Sequence, residues 1–264
     1  MMKAYAKINL TLDILDKRKD GLHNLNSVMQ TIDLFDELEF KKCDEIIVHS
    51  KISDDIIKRT ALKIKQLFDV EGGVEIDVKK NIPVGAGLGG GSSDAAATIL
   101  GLNSLWQLDL DLQSMVNIAS ELGSDVPFFL YNSCCFVSGF GDVVEPITGY
   151  GSDIVLANPG YELSTASAYA KLDKINYPKL HSSFKYAKKP AEFSSDLHND
   201  FIHIQNKDVM DLLLEMKEHG ALNSSITGKG PTVFGIFASA KKADHAYNKL
   251  INKYPFVYKT KTLI

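Results

Sequence analysis

The sequence predicts an α+β protein of two domains, 1–155 and 156–264. Three observations predict it. Residues 4–14, AYAKINLTLDI, put Ala6, Ile8, Leu10, Leu12 and Ile14 on one face and Lys7, Asn9, Thr11 and Asp13 on the other, the period of a half-buried strand. Ile57, Ala61, Ile64 and Phe68 step by four, three and four, the period of a helix. Near Asn158-Pro159-Gly160 the mixture of strands and helices restarts, which places the boundary close to residue 155.

After the first strand, KRKDGLH (Lys17–His23) reads as a turn. VMQTIDL and ELEF suggest two further strands, and EIIVHS another. Asp54 can cap the helix that contains Ile57, and Gly72-Gly73 ends it. VEIDVKK (Val74–Lys80) alternates again and delivers the chain to a glycine run. Ser92 or Ser93 then opens a helix to about Trp106. A second helix spans Leu112–Leu122 between an Asp111 cap and Gly123. DVPFFL and CCFVSG read as extended pieces and DIVLA as a strand. STASAYAKL reads as a helix capped by Ser164 or Thr165. Pro178–Phe193 has loop composition, including the basic stretch FKYAKKPAEF. Val209–His219 is an amphipathic helix closed by Gly220. TVFGIFA is a buried strand, Lys241–Lys253 a helix and FVYKTKTL a last strand.

At 264 residues, 45% hydrophobic and 23% charged, the chain is long enough to bury a core unaided. A net charge of −4 gives no support to nucleic-acid or membrane-surface binding. Cys43, Cys134 and Cys135 make neither a disulfide framework nor a zinc spacing, which points to a reducing, cytoplasmic setting. The N-terminus has no apolar signal region, and no stretch has the length of a membrane span.

IPVGAGLGGGSSDAAA (Ile82–Ala97) places five glycines between Gly85 and Gly91. A plain connecting turn does not need so many, because glycine within an element costs roughly 0.5–1 kcal/mol relative to alanine. Gly85-Ala86-Gly87-Leu88-Gly89-Gly90 matches the dinucleotide pattern G-x-G-x-x-G, with Asp109 nineteen residues beyond Gly90. That fold requires a strand running straight into the first glycine, and Asn81, Ile82 and Pro83 intervene. A phosphate cradle fits better. Bare backbone N–H groups and the positive end of the following helix favour an anion, with the Ser92 and Ser93 hydroxyls as further donors. No lysine takes the place it has in the ordinary P-loop.

Elsewhere Asp125 in GSDVPFF has an apolar surround that would strengthen its charge interactions, although a Ser-Asp pair there also suits a cap. Lys7 and Asn9 share a strand face, roughly 6.5–7 Å apart, where an exposed polar face is the plain alternative. His23 follows Gly21-Leu22 as a turn residue.

P-x-G-x-G-L-G-G-G-S-S-D-A-A (Pro83–Ala96) resembles the second signature of the GHMP kinases, named for galactokinase, homoserine kinase, mevalonate kinase and phosphomevalonate kinase. AKINLTLDILDKRKDGLHNLNSVMQTIDL is similar to a first family motif, GSDVPFF to a central one and TGKGPTVFG to a third, together spanning nearly the whole chain. The resemblance implies a two-domain GHMP kinase fold, with a ribosomal-protein-S5-like N-terminal domain and a ferredoxin-like C-terminal domain. It implies ATP held by Lys80, Pro83, Gly85, Gly87, Leu88, Gly89, Gly90, Gly91, Ser92 and Ser93. Mg²⁺ is expected with ATP, and no protein ligand for it is identified. Asp125 would be the base and Lys7 its partner.

The acceptor implied is a cytidine-diphosphate-linked polyol, phosphorylated on the 2-hydroxyl of its methylerythritol. Asn9, Leu22, His23, Thr165, Tyr169, Thr227, Gly228 and Lys229 would line its site. Leu22 stands where the family has a tyrosine stacked on the base, a loss of roughly 0.5–1.5 kcal/mol. Lys229 interrupts the usual third motif, and Asp55 replaces an asparagine. The alternatives are a kinase of another small alcohol or a non-catalytic nucleotide-binding relative. A monomer or weak homodimer is expected, with no nucleic acid or membrane partner.

Overall fold

A computed structural model describes residues 1–50, 55–179 and 196–264. It forms two compact units. The first comprises Met1–Ala6, Leu34–Val84 and Gly89–Asn132, and the second Lys7–Asp33, Gly85–Leu88 and Ser133–Ile264. The strands β1 (Met2–Lys17) and β2 (His23–Cys43) each contribute residues to both.

In the first unit the strand order is β3 (Ile46–His49), β4 (Gly73–Lys79), β2, β1. β4 runs parallel to β3 and antiparallel to β2, with Leu38 opposite Val78. VMQTIDL and ELEF prove to be parts of one strand, since no glycine or proline separates them. The helices are α1 (Asp55–Leu67), α2 (Gly90–Trp106), α3 (Leu112–Leu122) and α4 (Phe128–Tyr131), with α2 packed on the other three. The predicted Asp54 cap lies outside the described residues. Asp111 does cap α3, accepting from Ser114 N, and Gly123 follows its last residue. DVPFFL, expected to be extended, is a turn and the short helix α4. Pro127, at φ −55°, already has the helical backbone angle at its cap.

In the second unit one sheet has the order β8 (His198–Asn199), β1, β2, β5 (Cys134–Ser138), β6 (Val143–Pro146). The other runs β11 (Phe256–Lys261), β7 (Asp153–Asn158), β10 (Val233–Phe237), β9 (Asn223–Ile226), antiparallel throughout. Helices α6 (Lys207–Glu218) and α7 (Ala240–Leu250) pack on that sheet. α5 (Thr165–Leu172) packs on a 3₁₀ turn at Asp200–Ile204. The core joins Leu12 and Ile14 of β1 to Val155, Phe201, Leu212, Val233, Phe237 and Leu250. Most of the predicted basic loop, from residue 180 to 195, lies outside the described residues.

β1 departs from a half-buried strand. Lys7, Asn9, Thr11 and Asp13 are as buried as the apolar residues that alternate with them. Burial of so many polar groups requires internal partners for each. Those partners define the site.

Candidate active site

In the second unit, residues of three separated motifs meet in one hydrogen-bonded cluster. The Lys7 ammonium donates to Asn9 Oδ1 and lies 3.5 Å from Thr227 Oγ1. Asn9 Oδ1 also accepts the backbone N–H of Gly228 at 2.7 Å, while Asn9 Nδ2 donates to Ser27 Oγ at 2.8 Å. Ser27 in turn donates to the carbonyl of Thr11 at 2.6 Å. The Thr227 hydroxyl donates to the carbonyl of Gly87 at 3.0 Å, and Lys7 N–H donates to the carbonyl of Leu88 at 3.1 Å. An amide side chain has two acceptor sites and two donors. Both acceptor sites of Asn9 are engaged, and one of its two N–H groups is used by Ser27.

The glycines of this cluster are required by backbone contact. Gly87 has φ +79°, and a Cβ there would sit 2.3 Å from the carbonyl oxygen of Thr227. A Cβ on Gly228 would lie 3.0 Å from Gly87 O and 3.3 Å from the Lys7 ammonium. Gln205 donates to the Lys229 carbonyl at 3.0 Å, pinning the turn of the third motif.

His23 and Tyr169 are also brought together. Their rings stack at 4.8 Å and 20°, and Tyr169 meets Phe201 edge-on at 5.0 Å. Tyr169 lies on α5, which is capped by Ser164 rather than Thr165, because the Ser164 hydroxyl accepts from Ser167 N. Thr165 is exposed in the first turn, and Leu22 is 49% exposed. His23 Nε2 bonds Asp173 Oδ1 at 2.7 Å, and Lys17 pairs with Oδ2 at 2.5 Å. The bond from Lys17, aided by His23, holds the Asp173 carboxyl below the usual range. A carboxylate on one ring nitrogen makes it the N–H donor and fixes the tautomer. Sequence reasoning missed Asp173. Its signal was the spacing of four from Tyr169, one helical turn away.

In the first unit α2 opens at Gly90, not at a serine. Gly89 is the cap, at φ +73°, with no side-chain hydrogen bond. The first intrahelical bond runs from Ser93 N to Gly89 O at 2.9 Å. The N–H groups of Gly89, Gly90, Gly91 and Ser92 therefore precede the helical ladder, at the positive end of a seventeen-residue helix. Gly91 is exposed, and a Cβ added there would meet nothing within 4 Å. Ser92 is half-buried, whereas Ser93 is 2% exposed and its hydroxyl faces the interior. Pro83, half-buried, leads the chain in behind the buried Ile82.

Lys80 sits between two fully buried carboxylates, 2.7 Å from Asp36 and bonded to Asp94. Burial alone would lower its pKa, but Asp94 and Asp36 together outweigh burial and raise it. Asp125 lies half-buried in the turn between α3 and α4. The cap position of α4 is Pro127, so Asp125 does not serve as that cap. The turn is anchored by Val126, Phe128 and Phe129, all at most 1% exposed. Among the described residues no group of three or more His, Cys, Asp or Glu is placed to hold a metal, and no helix is long and apolar enough to cross a membrane.

Comparison with known proteins identifies the family and the fold. The model of the GHMP kinases N terminal domain matches residues 55–133, and that of the GHMP kinases C terminal domain matches 182–255. The 4-diphosphocytidyl-2-C-methyl-D-erythritol kinase of Caldanaerobacter subterraneus subsp. tengcongensis is 39% identical over 276 residues, covering 99% of this chain and 96% of its own. That of Thermodesulfovibrio yellowstonii is 37% identical, covering 92% of each. A crystal structure of 4-(cytidine 5'-diphospho)-2C-methyl-D-erythritol kinase matches 98% of each chain with TM-score 0.82 and 25% identity. The mevalonate kinase of Methanococcus jannaschii shares the fold, with TM-score 0.77 at 13% identity.

Proposed function

The chain belongs to the GHMP kinase family, and we propose that it transfers the γ-phosphoryl group of ATP to the 2-hydroxyl of 4-diphosphocytidyl-2-C-methyl-D-erythritol, a step toward isoprenoid precursors. The observation that carries this reading is the cluster of Lys7, Asn9, Gly87, Thr227 and Gly228. It joins residues from three of the family's motifs through hydrogen bonds. Identity of 39% over nearly the full length supports the cytidine-linked acceptor over another alcohol. The reading assigns the N-terminal kinase domain to 1–155 and the C-terminal one to 156–264.

Phosphoryl transfer depends chiefly on positioning and electrostatic stabilisation. In this mechanism Asp125 takes the proton of the 2-hydroxyl, the oxygen attacks the γ-phosphorus in line, and ADP leaves. Lys7 orients the carboxylate and offsets charge on the moving group. The N–H groups of Gly89–Ser92 hold the phosphate chain, and Mg²⁺ enters with ATP as part of that substrate. His23, in the tautomer set by Asp173, and Tyr169 recognise the base, with Leu22 in apolar contact. Thr165, Thr227, Gly228 and Lys229 complete the acceptor side. The reading includes a cytoplasmic monomer or weak homodimer.

Asp125→Asn tests the mechanism. It removes the proton acceptor and keeps the shape. Transfer should fall by about 10² or more, while ATP affinity measured by calorimetry stays within about twofold. Equal loss of both would reject Asp125 as the base.

A further inference from the structure

We infer that Lys80 is not a nucleotide ligand but an internal cation that, with Asp36 and Asp94, positions the start of α2; this rests on the kinase reading. All three residues belong to the first unit. The Lys80 side chain is 9% exposed, and both carboxylates are fully buried. Asp36 Oδ1 accepts the backbone N–H groups of Asn81 at 2.5 Å and Ile82 at 2.8 Å, the two residues that lead toward the glycines. Asp36 Oδ2 reaches the other end of the run as well. A Cβ on Gly90, the first residue of α2, would lie 3.7 Å from it and 3.1 Å from Ile82 Cγ2. Asp94 stands in the second turn of α2.

One ammonium thus ties the exit of β4 to the opening turns of the helix whose N–H groups face the phosphates. A Lys80 that swung out to a phosphate would take the ammonium from between two fully buried carboxylates, and breaking a buried ion pair in that way is strongly destabilising. The positive helix end and the two N–H groups on Asp36 favour the second carboxylate in place. Asp36 and Asp94 are positioning residues in this account, and so is Lys80.

The two roles of Lys80 predict opposite signs for Asp94→Asn. If Lys80 is a ligand, removing a competing carboxylate frees its ammonium, and ATP binds as well or better. If Lys80 positions the helix, the tie is lost and ATP binds more weakly. The measurement is ATP affinity by calorimetry on the full chain without acceptor, alongside thermal melting. Asp94→Asn should weaken ATP about tenfold and raise KM for ATP without moving KM for the acceptor. Lys80→Met should weaken it at least as much, Lys80→Arg should retain most of it, and Lys80→Met/Asp94→Asn should be no worse than Lys80→Met. Should Lys80→Met not fold, the Asp94→Asn result decides alone. Tighter or unchanged ATP binding in Asp94→Asn overturns the inference, including the case where only the melting temperature falls. A wild type that binds ATP yet phosphorylates no cytidine-linked acceptor would sink the kinase reading and leave this tie standing.

Discussion

The front and back halves of the glycine stretch use the same residue for different reasons. In Gly85–Leu88 the glycines answer to the protein itself. Gly87 has no room for a Cβ because Thr227 O would be 2.3 Å from it, and a Cβ on Gly85 would meet Glu162 at 2.9 Å. In Gly89–Ser92 the backbone crowding ends. Gly89 is an uncapped helix start in a left-handed conformation, a Cβ on Gly90 would press only on the Ile82 side chain at 3.1 Å, and a Cβ on Gly91 would meet open space. Under the kinase reading, a motif that reads as one phosphate cradle is a packing device followed by a ligand face. Gly87, held by a backbone carbonyl, and Gly91, in open space, are its two extremes.

Substitution can break that distinction, beginning with the largest effect. Gly87→Ala places a methyl against a backbone carbonyl at a φ that L-residues avoid. It should cost about 2–4 kcal/mol and lower the melting temperature on the order of 10 °C. Survival of full stability would mean that the contact is not real. Thr227→Val keeps the shape and removes the hydroxyl that bonds Gly87 O and meets Asn9. The expected cost is about 1–3 kcal/mol in urea unfolding, and a neutral result would show that the tie to Gly87 contributes nothing. Gly91→Ala should have the smallest effect on stability and the opposite sign. Alanine in a first helical turn with open space around it gains up to about 1 kcal/mol, yet its methyl intrudes on the ligand face, raising KM for ATP roughly tenfold. A lowered melting temperature with unchanged KM would reverse the assignment of the two halves.

These cases also show what the sequence could express. The alternation of residues 4–14 specified β1, because period two has one structural reading. The Asp111 and Gly123 signals bounded α3 because caps act locally. Burial of Lys7 and Asn9 was not legible, since their partners Thr227 and Gly228 lie more than 200 residues away. Serine's usual preference for caps misplaced the start of α2, where Gly89 leaves the N–H groups uncovered. α4 was too short for its period to show, and Pro127 was its only local signal. The polar strand β9 gave no apolar alternation; Ser224 is buried because its hydroxyl donates to Leu213 O at 2.8 Å. Asp36 is an acid inside an apolar run, and only the fold reveals Lys80 beside it.

The most direct test of the central claim is to follow γ-labelled phosphate from ATP with the wild-type chain, offering 4-diphosphocytidyl-2-C-methyl-D-erythritol in one reaction and the cytidine-free methylerythritol phosphate in another. The account predicts label on the 2-hydroxyl of the cytidine compound and at least tenfold less on the other. Label released only as inorganic phosphate, or shared equally between the two acceptors, would contradict it.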